Sequence, residues 1–187
     1  MKSGVRALGV AESYTGDSST LAGAVVRASR VTDGFVFGSC AVGGSDATDA
    51  IVEMVDRLDR PDVRLLLVAG IAPAWFNVID LHRIHDETGL PVLSITFEES
   101  EGLEPTLREE FSGEALAWRL DTYRAQPERE RVSVDDETVF VRSVGCDAGE
   151  AREVVRAFTP EGGRPEPLRV ARLAARAADG AFDSAKR

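Results

Sequence analysis

The sequence predicts an α/β protein built on a mixed β-sheet, and three observations carry that prediction. Leu65-Leu66-Leu67-Val68-Ala69 is a continuous apolar run, far too short to cross a membrane, as expected of a strand buried on both faces of a sheet. Val92-Leu93-Ser94-Ile95 repeats the pattern one helix later, which makes a strand-helix-strand unit with a right-handed crossover. Before them, three short strand-like stretches with brief connections read as an antiparallel meander. The order for the first hundred residues is βββαβαβ.

Each element has its own signal. Residues 5–13 read as the first strand, residues 20–28 as the second and residues 34–42 as the third, with Gly16, Asp17 and Ser18 in the first turn. A helix follows from Ser45 or Asp46 to residue 58. Its apolar set, Ala47, Ala50, Ile51, Met54, Val55 and Leu58, fits the i, i+3, i+4, i+7 template, and Ser45 or Asp46 can cap it. Gly70 and Pro73 end the fourth strand. The next helix is expected to begin between Trp75 and Asn77 and to close at Thr88-Gly89-Leu90-Pro91, where the fifth strand starts at once.

The second half reads as an α+β extension from about residue 101 to 179 on a core spanning about residues 5–100, the whole making one domain. Residues 103–111 and 114–125 are predicted helices, with Trp118 as a core anchor. Residues 131–134 and 138–144 are predicted to form a hairpin around Asp135-Asp136-Glu137. Asp147 starts an amphipathic helix that buries Ala151, Val154, Val155 and Phe158; Pro167 opens a last helix, which is expected to fray after Asp179.

Composition narrows the setting. The formal charge of −10 is carried against positive charge that is nearly all arginine, since lysine occurs only at positions 2 and 186. Such a surface suits concentrated salt, where screening removes self-repulsion, and it disfavours tight non-specific attraction to nucleic acid except through a local arginine stripe. Cys40 and Cys146 form no metal-knuckle or redox spacing, so a reduced, cytoplasmic setting is expected. The N-terminal residues show no signal-peptide pattern, and no run of about 18 apolar residues exists to span a membrane.

A three-stranded meander followed by parallel strands with helical crossovers is the topology of a ribonuclease H-like core, and other mixed α/β folds share it. Val42-Gly43-Gly44-Ser45-Asp46, Gly70-Ile71 with Phe76-Asn77-Val78-Ile79-Asp80, Thr88-Gly89-Leu90-Pro91, and the unusual Pro165-Glu166-Pro167-Leu168-Arg169-Val170-Ala171 resemble the archaeal endonuclease dU family. The resemblance runs from Leu8 to Ala175. It implies kinship with endonuclease V, a ribonuclease H-like fold, and Mg²⁺- or Mn²⁺-dependent cleavage of DNA containing deaminated bases. Two departures stand out. The family's Gly-Ile-Asp-Asp on the first strand is here Gly9-Val10-Ala11-Glu12, and its Asp-Gly or Asn-Gly after the fourth strand is Ala69-Gly70. Two positions where the resemblance implies metal ligands are therefore alanine, which offers no oxygen to a hard cation.

Three expectations follow: a family protein that recognises altered DNA with hydrolysis impaired, a metal nuclease whose site has moved, or a non-catalytic interaction protein. A moved site would draw on Glu12, Asp46 and Asp80, with Glu12 and Asp46 on the metal; Asp17 is the weaker candidate, better read as a turn former. Asp46 is also read as a helix cap, and Asn77 either as a helix cap or as a nucleic-acid contact. Trp75 could stack beside a displaced base, or sit in the core with Phe76. Arg164, Arg169, Arg172 and Arg176 form a basic stripe suited to a phosphate backbone or to surface ion pairs. His82 and His85 share a helix face without a third ligand, and the acids from Glu98 to Glu101 read as a solvated loop. The expected partner is DNA, with no membrane and an oligomeric state left open.

Overall fold

The computed structural model describes residues 1–134, 136–159 and 163–185. Its centre is a seven-stranded mixed sheet in the order β3-β2-β1-β4-β5-β7-β6. β1 (Arg6–Thr15), β2 (Ser18–Arg27) and β3 (Thr32–Ala41) form the expected meander. After helix α1 (Ala47–Leu58), β4 (Val63–Ala69) lies parallel to β1, and β5 (Val92–Thr96) parallel to β4. The second half does not form a separate layer: β6 (Glu130–Val134) and β7 (Glu137–Val144) continue the same sheet, with β7 antiparallel to β5.

Strand alternation sorts the core into two layers. Leu8 and Val10 of β1 and Leu66 and Val68 of β4 face α1 and α3 (Leu81–Thr88), where Ile51, Met54, Leu81 and Ile84 close over them. Ala7, Leu65 and Leu67 face the other way, onto α6 (Ala148–Phe158) and α7 (Glu166–Ala185). Two helices, α4 (Glu104–Glu110) and α5 (Gly113–Ala125), occupy the stretch between β5 and β6. No helix of the described residues is long and apolar enough to cross a membrane.

The Pro165-Glu166-Pro167 motif acquires a physical reason. α7 begins directly against β1, so close that a Cβ on Gly9 would stand 2.3 Å from the Pro167 carbonyl carbon. Only glycine lets the helix start there. At its far end α7 is tied down rather than frayed after Asp179: the Asp179 carboxylate accepts a hydrogen bond from Ser13 Oγ at 3.1 Å, and the helix runs on to Ala185.

Several local expectations are met in detail. Asp147 starts α6 as expected, and with Glu150 it forms a reciprocal capping box. Others are corrected. The helix expected from Trp75 to Asn77 begins only at Leu81, because Asp80 is the cap, accepting from the His82 and Arg83 backbone amides at 3.1 and 3.2 Å. Trp118 is half-buried rather than a core anchor; the inward residues of α5 are Arg119 and Leu120. Asp135 of the predicted hairpin turn and residues 160–162 of the predicted loop lie outside the described residues.

Candidate nucleic-acid interface

In open α/β sheets the groups that act on ligands gather at the carboxyl ends of parallel strands. Here those ends are Glu12 to Thr15, the segment after Ala69, and the segment after Thr96. The segment after β4 is the most unusual backbone in the protein. α2 (Pro73–Phe76) is a single turn in which Ala74, Trp75 and Phe76 have φ of 49°, 57° and 58°. Three successive non-glycine residues in the left-handed region cost roughly 1–2 kcal/mol each. They persist because their surroundings over-determine them.

Two side chains do that. Asn77 is wholly buried: its Oδ1 accepts from the Ala47 amide at 3.0 Å, and its Nδ2 donates to the Ala41 carbonyl at 2.9 Å and the Asp46 carboxylate at 2.7 Å. Arg119, 2% exposed, sends its guanidinium from α5 to the Phe76 carbonyl at 3.0 Å and to the carbonyls of Gly43 and Gly44. It lies between the Phe111 and Trp118 rings, 3.7 and 4.4 Å from their centroids, and burial lowers its pKa from the ordinary value. The Gly43 amide completes the seam by donating to the Ala74 carbonyl at 2.7 Å. The result displays Trp75, 48% exposed and edge-on to Phe76, on the surface. Of the two readings of Asn77, the cap belongs to Asp80 instead, and the side chain is committed inside the fold.

The candidate carboxylates do not converge. Glu12 lies on the opposite face of β1 from Ala11 and accepts from Ser19 Oγ at 2.8 Å. Asp46 caps no amide of its own helix; it accepts from the Ala41 amide at 3.1 Å and from Asn77. Asp80 holds the start of α3 and receives Gln126 Nε2 at 3.4 Å. Ala11 packs with Ala24, Val26 and Ala171 of α7 in a buried cluster that Ala69 also joins. Among the described residues no three His, Cys, Asp or Glu side chains stand where they could share a metal ion. The donor set therefore does not fit the metal centre that the resemblance implies. His82 and His85 are occupied with the carbonyls of Ala125 and Leu90, at 3.2 and 2.7 Å.

Beside this apolar contact opens a cavity of about 390 Å³, bounded by the ends of β4 and β5, the loop to Leu103 and β7. Arg129, Arg142, Arg164 and Arg172 line it. Arg129 is held by the Ser100 carbonyl at 2.9 Å and lies over Phe140 at 4.4 Å; Arg142 reaches Tyr123 Oη at 3.1 Å and the Pro127 carbonyl. Arg164 lies over Phe97 at 4.5 Å. Burial lowers the pKa of Arg142, and it lowers that of Arg172 together with the neighbouring charges of Arg176 and Arg164. Arg169 of the predicted stripe stands apart, paired to Glu166 at 2.6 Å. Sequence reasoning singled out Arg164 and Arg172 in a stripe on the last helix, although Arg164 precedes α7, and missed Arg129, Arg142 and Arg119, whose positions depend on long-range packing and carry no local signal.

A meander, two parallel crossovers and an arginine-lined opening at the strand ends define a ribonuclease H-like protein, the fold class of endonuclease V. The fold match is direct: endonuclease V of Ciona intestinalis, solved with a 24mer DNA containing an inosine followed by a ribo-adenosine, superposes with a TM-score of 0.63 at 12% identity over 95% of this chain and 87% of its own. The chain belongs to the endonuclease dU family, whose model matches residues 3–179. A UPF0215 protein of Thermococcus kodakarensis is 34% identical over 163 residues, 86% of this chain and 82% of that protein. A crystal structure of a protein of unknown function from Archaeoglobus fulgidus matches with a TM-score of 0.83 at 26% identity, covering 93% of this chain and 98% of its own.

Proposed function

We propose that this protein recognises DNA containing deaminated bases by binding, without two-metal hydrolysis. One juxtaposition carries the reading. Where the resemblance asks for metal-ligating carboxylates, Ala11 and Ala69 close against α7, while the adjoining cavity presents four arginines. Binding chemistry is retained at the strand ends and the carboxylates for metal chemistry are not. Trp75, exposed in the turn that follows β4, supplies a ring on which a displaced base can stack. The inosine-containing DNA bound by the Ciona endonuclease V lends support to this class of substrate.

A second reading, hydrolysis through a relocated site on Glu12 and Asp46, has one observation in its favour. Ser19, which donates to Glu12, is paired with Cys40 across β2 and β3, and the next amide, Ala41, donates to Asp46, so both carboxylates are tied to the same end of β3.

One experiment separates the readings. A labelled duplex carrying a single deoxyuridine or deoxyinosine is titrated with protein across a KCl series, then incubated with Mn²⁺ or Mg²⁺. The binding reading expects tighter association with the altered duplex than with an unmodified one, and no product. Cleavage that Glu12→Gln abolishes would establish the relocated nuclease. Absence of binding at every salt concentration would leave a non-catalytic interaction protein.

A further inference from the structure

The four arginines of the cavity differ from most others on the surface in what they lack. Arg131 and Arg169 nearby are ion-paired with Glu99 and Glu166. Among the described residues, no carboxylate makes an ion pair with Arg129, Arg142, Arg164 or Arg172, although the chain as a whole carries a net charge of −10. Arg164 and Arg172 also make no hydrogen bond to any described residue, so their guanidinium donors are uncommitted. Arg164 lies over the Phe97 ring at 4.5 Å, a contact that uses the face of a guanidinium and none of its N–H donors.

An independent observation points to the same place. Thr96, at the end of β5, lines the cavity, and its Oγ1 is buried without a hydrogen-bond partner. A buried hydroxyl is nearly always satisfied, so this orphan behind the cavity wall marks a spot where a polar partner is missing. The cavity volume lies within the range of small-ligand pockets, about 300–1,000 Å³. Charge then selects among phosphates. A phosphodiester brings one negative charge, whereas a phosphate monoester brings about −1.5 to −2 near neutrality and three acceptor oxygens. Four unpaired guanidiniums match the second better than the first.

We propose that this cavity is a phosphomonoester site, taking the terminal phosphate of a nucleic-acid strand or of a free mononucleotide, with Arg164 and Arg172 binding its oxygens. The strand-end form rests on the DNA-binding reading above, but it adds which part of the strand is held. Bidentate contact between guanidinium and phosphate supplies the geometry.

The test uses the whole chain and internally labelled single strands of about 12 nucleotides, within the span of single-strand sites. They carry a 5′-phosphate, a 3′-phosphate or hydroxyls at both ends. Deoxyadenosine monophosphate is titrated in parallel by calorimetry and as a competitor of strand binding. A strand-end site expects one phosphorylated strand to bind about tenfold or more tighter than the hydroxyl strand, the worth of a single charge-assisted hydrogen bond. That preference should vanish in Arg164→Gln/Arg172→Gln and survive in Arg131→Gln. A mononucleotide site expects saturable binding of the monophosphate, lost in the same double variant, with no end preference. Competition in the wild-type protein needs no variant and stands if the double variant does not fold. Equal affinity for all three strands together with no binding of the monophosphate overturns the inference and leaves DNA binding intact. Failure of the hydroxyl strand and of duplex DNA to bind sinks the DNA reading instead, and the monophosphate titration still decides the cavity.

Discussion

Replacing Arg119 with methionine would remove the main support of the left-handed turn while keeping the volume and removing the donors. Three of the hydrogen bonds lost, to Phe76, Gly43 and Gly44, join α5 to two other segments; the fourth, to Ala115 at 2.8 Å, lies within α5. A carbonyl stranded without a partner costs about 1–3 kcal/mol. These three carbonyls belong to half-buried residues that can recover water, so about 1 kcal/mol each is the appropriate scale. Contact with the Phe111 and Trp118 faces adds to the loss, at about 0.5–2 kcal/mol per desolvated cation–π pair. Relief from burying a guanidinium with no carboxylate partner offsets a similar amount. The net expectation is about 3 kcal/mol. In a domain of this size that lowers Tm by roughly 6–12 °C. Amide exchange gives the local readout, since Gly43 N–H donates to Ala74 and Asn77 N–H to Pro73, and both should lose protection ahead of the sheet. Arg119→Lys should be about as damaging, because a single ammonium cannot span both loops. A methionine variant that melts within about 2 °C of wild type with Gly43 still protected would refute the clamp.

Two further outcomes are expected. Gly9→Ala should be strongly destabilising, at or above the usual 1–3 kcal/mol of overpacking, because the obstacle at 2.3 Å is backbone that cannot rotate away; thermal melting and far-UV dichroism would register the displaced α7. Of the two free cysteines, Cys146 should be alkylated first in the folded protein, since Cys40 is buried with its thiol held at about 12 while Cys146 is only partly covered and raised less. The same raised value makes the sign definite: below the unfolded thiol pKa of about 8.5 the Cys40 contribution is intact, and it is lost as pH rises through the folded value. Mass spectrometry after iodoacetamide, with and without denaturant, tests both positions, and equal labelling in the folded protein would contradict the buried assignment.

How much of this was readable from the chain depended on the range of the interactions. The two parallel strands announced themselves because burial on both faces leaves no polar position in Leu65-Leu66-Leu67-Val68, and the start of α6 because Asp147 is a strong cap directly ahead of an amphipathic run. The departures at Ala11 and Ala69 were also legible, and the structure adds that Ala11 is packed shut. What stayed hidden has no local period. No glycine marks the left-handed run from Ala74 to Phe76; its cause lies 43 residues on, in Arg119. The cap role expected of Asn77 falls to Asp80 because the helix starts only at Leu81, after the turn of Pro73–Phe76. Arg129 and Arg142 join Arg164 and Arg172 only once β7 has paired with β5.

Four arginines line one cavity in a chain of net charge −10, and that unevenness bears on how a polyanion would approach. On the DNA-binding proposal, the net negative charge away from the mouth would oppose sliding along random DNA and favour encounters already oriented. Added salt then acts in two opposed ways, weakening attraction at the arginines while lifting repulsion from everything around them. The apparent number of released counterions should fall below the four that the cavity alone suggests. In concentrated salt both effects are screened, so any selectivity measured there has to come from direct contact at the cavity rather than from the approach.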